Sequence, residues 1–307
     1  EILYNHTPAY LIGKRRFGLL RYAMVLMNGA RLAVGAQAIG IAEAAYREAF
    51  RYASARIQFD RPIRQLPAVS RLLLSMKTEI EAGRALLFET GRWGDPLKAC
   101  EQLLAANAAP DPALRARHKL AASLAETLTP MTKFFNTEMG SRVAHQAMQV
   151  HGGVGYMNEF NIERHFRDVR VTSIYEGTSQ LQVVAAISKL LGRTLDPLVD
   201  EWAAADCGPE GAALQQRLVE ANDLFRRAAD HLKACERDLI DYYAVDLVNL
   251  ACWLVNSWLL LRDSLASPRK LELARTYLAE TLPQIHRAGE AVLAADPTPL
   301  QTRASIW

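Results

Sequence analysis

The chain has 307 residues, of which 50% are hydrophobic and 22% charged, so it has enough apolar surface for one large helical unit or two smaller ones. Its 36 basic and 33 acidic residues are interleaved and give a formal net charge of +3, which argues against a nucleic-acid partner. The four cysteines lack the spacing of a zinc site, so we expect no metal and a reducing, cytoplasmic compartment. The longest apolar run, at 247–261, is too short to span a bilayer, and we expect a buried core helix with no membrane association.

Helical periodicity dominates the beginning of the chain. Residues 1–18 are interpreted as the end of a strand followed by a loop. The segment 19–55 is predicted to be one long buried helix, because apolar residues recur there at helical spacing without a proline. Along this helix, a stripe of small residues would let another helix approach closely; it consists of Gly29, Ala33, Ala36, Gly40 and Ala44.

Further helices are predicted along the rest of the chain. One at 68–89 is interrupted by the stretch GRWGDP at 91–96, and another extends to Val150 after a break at 109–113. A glycine-rich loop precedes a helix that ends near Leu191, and three more helices follow near 212–236, 238–264 and 268–294. No segment has a convincing sheet pattern, so the predicted fold class is all-α.

The stretch 164–182 brings a carboxylate to the start of a helix. Glu176 precedes Gly177 at a loop-to-helix junction, and Thr178 and Ser179 are good candidates to cap the helix that follows. A glycine lets a ligand approach the carboxylate closely, and the free amides of a helix N-terminus attract an anionic group such as a pyrophosphate. These features alone favour an ordinary capped helix with a solvated glutamate.

A longer pattern changes that interpretation. It comprises Arg167, Asp168, Ile174, Tyr175, Glu176, Gly177, Thr178, Ser179 and Gln180, and it resembles the signature of the acyl-CoA dehydrogenase family. The block Gln149–Gly155 (QVHGGVG) is similar to a flavin-contacting loop of that family, and Arg56–Phe59 (RIQF) to the arginine loop that reaches the FAD of a neighbouring subunit. The resemblance covers roughly residues 10–192 and includes Arg31 and Gly35 in the long first helix.

The resemblance implies a fold and a reaction. The fold is a bundle of four long helices at 19–193, like the C-terminal domain of this family, followed by an additional helical domain at 194–307. In the reaction, Glu176 is the catalytic base that takes the α-proton of an acyl-CoA thioester while the β-hydride passes to FAD. Burial beside an apolar acyl chain would make this carboxylate a stronger base, and its own backbone amide would polarise the thioester carbonyl.

The same resemblance assigns the other site residues position by position. On the substrate side it gives Asn28, Arg31, Tyr175 and Gly177. For FAD it gives Arg56, Ile57, Gln58, Gln149, Val150, His151, Gly152, Gly153, Thr178, Ser179 and Gln180. Alternatives remain open, since Arg31 could be a buried arginine paired to a carboxylate, Tyr175 a packed aromatic and His151 a helix-end residue. Arg56 would neutralise the pyrophosphate, or instead form a surface ion pair.

Members of the family also have an N-terminal helical domain and a middle β-domain, for which this sequence shows no counterpart. Residues 1–18 are interpreted as the exit from that β-domain, and 194–307 as the extension carried by a subgroup of larger members. We therefore expect the chain to be a fragment that folds, but binds FAD poorly and is inactive by itself.

The implied partners are an acyl-CoA substrate, an electron-transfer flavoprotein as acceptor, and further copies of the chain in a homodimer or homotetramer. Two alternatives stay open. One is an acyl-CoA oxidase, which oxygen consumption on addition of substrate would distinguish. The other is a non-enzymatic helical module, such as a nucleic-acid-associated relative of the same family.

Overall fold

The structure is a computed structural model that describes residues 2–107 and 111–306, with backbone only at Leu19, Leu20, Arg21, Met24 and Val25. Nearly all of it is helical, which confirms the all-α prediction. A π-helical turn at Gly18–Ala23 leads into the first α-helix. The helices are α1 (Met24–Ala55), α2 (Pro67–Ala106), α3 (Pro112–His151), α4 (Ile162–Thr172), α5 (Ser179–Leu191), α6 (Asp196–Ala204), α7 (Gly208–Lys233), α8 (Arg237–Ser264), α9 (Pro268–Ala294) and α10 (Thr298–Ile306).

Helix α2 is continuous where the sequence predicted an interruption at 91–96, so that prediction is wrong. The helix runs through Pro96 because side chains one turn apart hold the backbone together there. The buried carboxylate of Glu89 accepts hydrogen bonds from Arg92 at 2.6 Å and from the indole of Trp93 at 2.9 Å. The predicted break at 109–113 falls between α2 and α3, and its residues 109 and 110 lie outside the described residues.

The described residues contain a single small sheet, the hairpin of β1 (Ile57–Gln58) and β2 (Arg61–Pro62). Its turn residues Phe59 and Asp60 have φ angles of 51° and 58°, the left-handed conformation that tight two-residue hairpins require. A hydrogen bond of 2.9 Å from the Ile63 amide to the carbonyl of Arg56 closes the hairpin base. The hairpin therefore fixes the backbone of Arg56 at the end of α1.

Helix α3 lies at the centre of the bundle and contacts α1, α2, α4 and α5. Small residues let its neighbours approach closely: a Cβ on Gly140 would lie 2.9 Å from Cγ2 of Val169 and 3.3 Å from the carbonyl of Ala38. The core face of α1 is formed by Val34, Ala38, Ala42, Ala45 and Ala49. The stripe of small residues predicted on the same helix lies elsewhere, since Gly29, Ala33, Ala36 and Gly40 are exposed.

Residues 194–306, the part of the C-terminal segment that the structure describes, form five helices. Of these, α7, α8 and α9 match the three predicted ones, while α6 and α10 were not predicted. Helix α8 packs against α7, α9, α2 and α5. By length and composition it could cross a membrane, but 78% of its most apolar window is buried inside the protein. This burial accounts for its apolar character and agrees with the predicted core helix.

Buried ion pairs join this C-terminal segment to α2. The carboxylate of Glu89, which is 1% exposed, accepts a hydrogen bond of 2.7 Å from Arg262 of α8. Closer to the N-terminus of α2, Glu81 accepts a 2.8 Å hydrogen bond from Lys270 of α9 and lies 3.1 Å from Lys77. Because a buried charge without a partner is costly, each carboxylate ties the two parts of the chain together.

The pKa of Glu81 predicts how this junction responds to acid. Burial alone would raise it, but hydrogen bonds from Lys270 and Lys77 outweigh burial and lower it from 4.5 to about 2. A lowered folded-state pKa contributes stability that is present above pH 4.5 and lost as the pH falls towards 2. In urea unfolding, Glu81→Gln should lose about 1.5–3 kcal/mol at pH 7 and then show a shallower acid dependence than the wild type.

The matched control is Glu126→Gln, which removes an exposed pairing with Lys189 and should cost at most about 1 kcal/mol. An acid dependence of Glu81→Gln that parallels the wild type between pH 4.5 and 2 would contradict this assignment.

Candidate active site

Glu176 lies in the tight turn that joins α4 to α5. Its φ angle is 56° and that of Gly177 is 90°, so two successive residues adopt the left-handed conformation. This conformation costs a non-glycine residue about 1–3 kcal/mol and persists only where the surroundings enforce it. Among the described residues, neither the carboxylate nor the backbone amide of Glu176 has a hydrogen bond or ion pair. Both groups are thus available to a ligand.

The turn is held by its neighbours on α3 and α5. The amide of Ser179 donates to the carbonyl of Ser173 at 3.1 Å, which closes the turn. Thr178 is the N-cap of α5, and its hydroxyl accepts from the Leu181 amide at 3.4 Å, which confirms the predicted cap. The side-chain amide of Gln182 donates to the carbonyl of Gly177 at 3.0 Å.

Two of the predicted substrate-side residues lie on α1. Arg31 is buried and donates to the side-chain oxygen of Asn28 at 3.2 Å, while its buried Nε has no hydrogen-bond partner. The alternative for Arg31, a pairing with a carboxylate, is not found within the part of the chain that the structure describes. The hydroxyl of Tyr175 donates to Gln37 of α1, so this ring bridges the turn and α1 while remaining 38% exposed.

Most of the predicted cofactor residues meet at one cavity of about 510 Å³. Its lining includes Arg56, Gln58, Gln149, Val150, His151, Gly152 and Gly153, while Ile57 is exposed on the adjacent strand. No atom lies within 4 Å of the position that a Cβ would take at Gly152 or Gly153, so the backbone there is open to a ligand. The exposed guanidinium of Arg56 has no ion pair with the residues described, contrary to the surface-pair alternative.

His151 contributes to this cavity through packing. Its Nδ1 donates to the carbonyl of Ala147 at 2.8 Å, since a carbonyl oxygen can only accept. The ring stacks on Tyr52 with a centroid distance of 4.6 Å and is nearly fully buried. The side chain is thereby fixed at the end of α3, beneath the glycine loop. No group of three metal-ligating side chains occurs in the described ranges.

The remaining predicted cofactor residues form a separate group at the N-terminus of α5. The side chain of Gln180 is exposed there. Ser179 is buried, and its hydroxyl donates to Glu138 of α3 at 2.5 Å. A ligand at this end would therefore meet the backbone amides of the first turn, where the helix dipole is positive, together with Gln180.

Lys133 and Gln182 lie beneath the turn and were not predicted from the sequence, and neither was the buried Asn136 of α3. Lys133 of α3 donates to the carbonyl of Gly177 at 2.5 Å, and Gln182 donates to the same oxygen. Asn136 is fully buried, and neither side-chain atom has a hydrogen-bond partner within the described residues. One signal was present: Lys133 is the lone charge in the stretch TLTPMTKFFNT at 127–137, which otherwise has the character of a buried helix.

Comparison with known proteins identifies the family. Residues 20–190 match the family model described as the C-terminal domain of acyl-CoA dehydrogenase. Because the matched segment is more than half of the chain, the chain belongs to the acyl-CoA dehydrogenase family, whose members are FAD-dependent oxidoreductases.

Three relatives illustrate the extent of the similarity. The chain is 37% identical over 300 residues to the 3-methylmercaptopropionyl-CoA dehydrogenase of Ruegeria pomeroyi, covering 91% of this chain and 48% of the relative. It is 35% identical over 181 residues to the mitochondrial short-chain specific acyl-CoA dehydrogenase of Bos taurus, covering 59% and 38%. The fold matches the crystal structure of an acyl-CoA dehydrogenase complexed with FAD from Bacillus anthracis, with a TM-score of 0.70, 22% identity and coverages of 92% and 52%.

The chain spans about half of the length of these relatives, and in one case less. The matches to the Ruegeria protein and the Bacillus structure cover 91% and 92% of this chain, so they continue past residue 190 into the C-terminal segment. The C-terminal helices are thus a shared feature of some larger relatives, in agreement with the predicted extension.

The turn at Glu176 leads to a stability prediction. A Cβ on Gly177 would lie 2.9 Å from Nε2 of Gln182, in addition to the strain of a φ angle of 90°. Gly177→Ala should lower the free energy of unfolding by about 1–3 kcal/mol in chemical denaturation. Gly91→Ala is the control, since that helical position has open space around it and should gain about 0.5–1 kcal/mol. Equal stability changes for the two variants would refute the constraint on Gly177.

Proposed function

We propose that the protein containing this chain is an FAD-dependent acyl-CoA dehydrogenase in which Glu176 removes the α-proton of the acyl-CoA thioester. The observation that carries the proposal is the unpaired carboxylate of Glu176, held on a constrained turn within a chain of this family. A general base has to be free of competing partners and fixed within reach of its proton. The carboxylate of Glu176 has no partner among the described residues, which supports this role.

The backbone of the same residue supports the proposal. The amide of Glu176 has no acceptor among the described residues, so it can donate to the thioester carbonyl and stabilise the negative charge that develops on its oxygen. Asn28 and Arg31 supply substrate-side contacts, and Arg31 keeps a buried, unpaired Nε for this purpose. Tyr175 and Gly177 flank the base, where the glycine leaves room for the substrate.

The cavity at the end of α3 is the proposed binding site for part of the FAD cofactor. Bound FAD supplies the acceptor for the β-hydride of the substrate. Arg56 would neutralise its pyrophosphate, and the open backbone of Gly152 and Gly153 would let it approach closely. Because Arg56 and the loop at 149–153 line the same cavity, they would serve the same flavin molecule.

The arrangement of the two cofactor groups supports an oligomer. The resemblance assigns Arg56 to the flavin of a neighbouring subunit, and the group Thr178, Ser179 and Gln180 lies outside the cavity that Arg56 lines. Each chain of a homodimer or homotetramer would then contribute to two flavin sites, one through each group.

The relatives support a proposal for the electron acceptor and for the substrate. We propose an electron-transfer flavoprotein as the acceptor, since a similar curated protein is a subunit of a caffeyl-CoA reductase–Etf complex. The thioester named for the Ruegeria relative, 3-methylmercaptopropionyl-CoA, is the first substrate to assay, because that similarity covers 91% of the chain. Oxygen consumption on addition of acyl-CoA would instead identify an oxidase.

Glu176→Gln tests the base in the complete protein. The substitution keeps the shape of the side chain but removes its basicity, so flavin content should be unchanged while the rate of flavin reduction by acyl-CoA falls by about 10²–10⁴-fold. Stopped-flow bleaching of the flavin absorbance measures this rate. Reduction of this variant at the wild-type rate would disprove the assignment of Glu176.

Arg56→Ala tests the cofactor cavity. Loss of a charge-assisted hydrogen bond of about 1.5–3 kcal/mol should increase flavin dissociation on dilution, with little change in melting temperature. Arg71→Ala, at an exposed arginine of α2 outside the cavity lining, serves as the control and should retain its flavin. A variant of Arg56 that keeps its flavin but melts much earlier would show that this arginine has a structural role instead.

A further inference from the structure

Lys133 is an unusual buried cation. Its side chain is 0% exposed in the middle of α3, and its ammonium donates to one acceptor, the carbonyl of Gly177 at 2.5 Å. No carboxylate lies within ion-pair distance of it in the described residues, although an ammonium has three donors to satisfy. Burial, and next the positive charge of Arg31, lower the pKa of Lys133 from 10.5 to about 8. Such a charge is costly to bury, so packing alone does not account for it.

The acceptor of Lys133 belongs to the turn that carries Glu176. Gly177 directly follows Glu176, and its carbonyl also accepts a hydrogen bond from the fully buried Gln182 at 3.0 Å. The same Gln182 nitrogen lies 3.4 Å from the carbonyl of Glu176. Side chains of two different helices, α3 and α5, therefore converge on the two peptide units that follow the Cα atom of Glu176.

The turn needs this support from side chains. Among the described residues, the backbone amides of Glu176, Gly177 and Thr178 have no hydrogen-bond acceptor, so backbone hydrogen bonds do not fix the conformation of these residues. The left-handed conformations at Glu176 and Gly177 are also unfavourable by themselves. Without the contacts from Lys133 and Gln182, the Ser179–Ser173 hydrogen bond would still close the turn, but the carbonyls of Glu176 and Gly177 would lose their donors.

We propose that Lys133 is a positioning residue that fixes the carbonyl of Gly177 and thereby aims both the carboxylate and the backbone amide of Glu176 at the substrate. This role rests on the proposed function of Glu176. Its physical basis is that a base displaced by about 1 Å loses about 10²-fold in rate, so a rigid connection to the buried central helix α3 is useful to catalysis.

The test uses Lys133→Met in the complete protein, since methionine fills a similar volume without the ammonium. Lys189→Met is the matched control, because it removes an exposed lysine of α5 that pairs with Glu126. The limiting rate of flavin reduction at saturating acyl-CoA is measured per bound flavin. Loss of folded protein or of flavin then does not change the measured rate. Lys133→Met should lower this rate by about 10²-fold, and Lys189→Met should leave it unchanged.

A second measurement does not depend on the reaction. Hydrogen–deuterium exchange of the segment 173–182 reports on the turn, because the Ser179 amide bonds the Ser173 carbonyl across it. Lys133→Met should accelerate exchange in this segment by about tenfold or more, while other helices keep their protection. If Lys133→Met does not fold, Gln182→Met provides the same two readouts, since it removes the other donor to Gly177.

The outcomes are distinct. Slower flavin reduction together with faster exchange of the turn supports the positioning role. A rate per flavin within about twofold of the wild type, beside a lower melting temperature, overturns it and makes Lys133 a merely structural residue. A wild-type protein whose bound flavin is not reduced by any acyl-CoA overturns the proposed function and the positioning role of Lys133 together.

Discussion

Helix α3 contacts α1, α2, α4 and α5, and its segment 127–137 is buried from end to end. A charged group in such a helix needs a partner inside the protein, because water does not reach it. Lys133 finds the carbonyl of Gly177, and one turn further along Glu138 accepts from Ser179. The position of the turn that carries Glu176 is therefore set by the polar groups of the central helix. The proposed catalytic base therefore depends on the packing of α3.

The buried charged residues have two kinds of partner, depending on where they lie in the structure. Where the C-terminal helices meet α2, the carboxylates Glu81 and Glu89 are neutralised by lysine and arginine side chains, and their pKa values are held below the ordinary range. Beneath the turn, the cations Lys133 and Arg31 bond to uncharged oxygens. The first arrangement stabilises the association of helices, whereas the second leaves both cations without a carboxylate partner among the described residues.

The C-terminal segment shares its hydrophobic core with the segment that matches the family. The core runs without interruption from α1 to α9, and α8 packs on both α2 and α5. Residue 190, where the family match ends, lies inside this core. The predicted division at 193 remains a prediction about domains, while packing makes the two segments dependent on each other.

The sequence alone determined the helical class, the N-cap at Thr178 and the family pattern around Glu176, because helix periodicity, capping preference and signature motifs are local properties. It also placed α7, α8 and α9, but it predicted an interruption in α2 that the buried contacts of Glu89 prevent. Only the tertiary structure brought Arg56 to the loop at 149–153 and revealed Lys133 under Gly177, since these partners are 93 and 44 residues apart in sequence at their nearest. Contacts of that separation depend on how the helices pack, which no local pattern records.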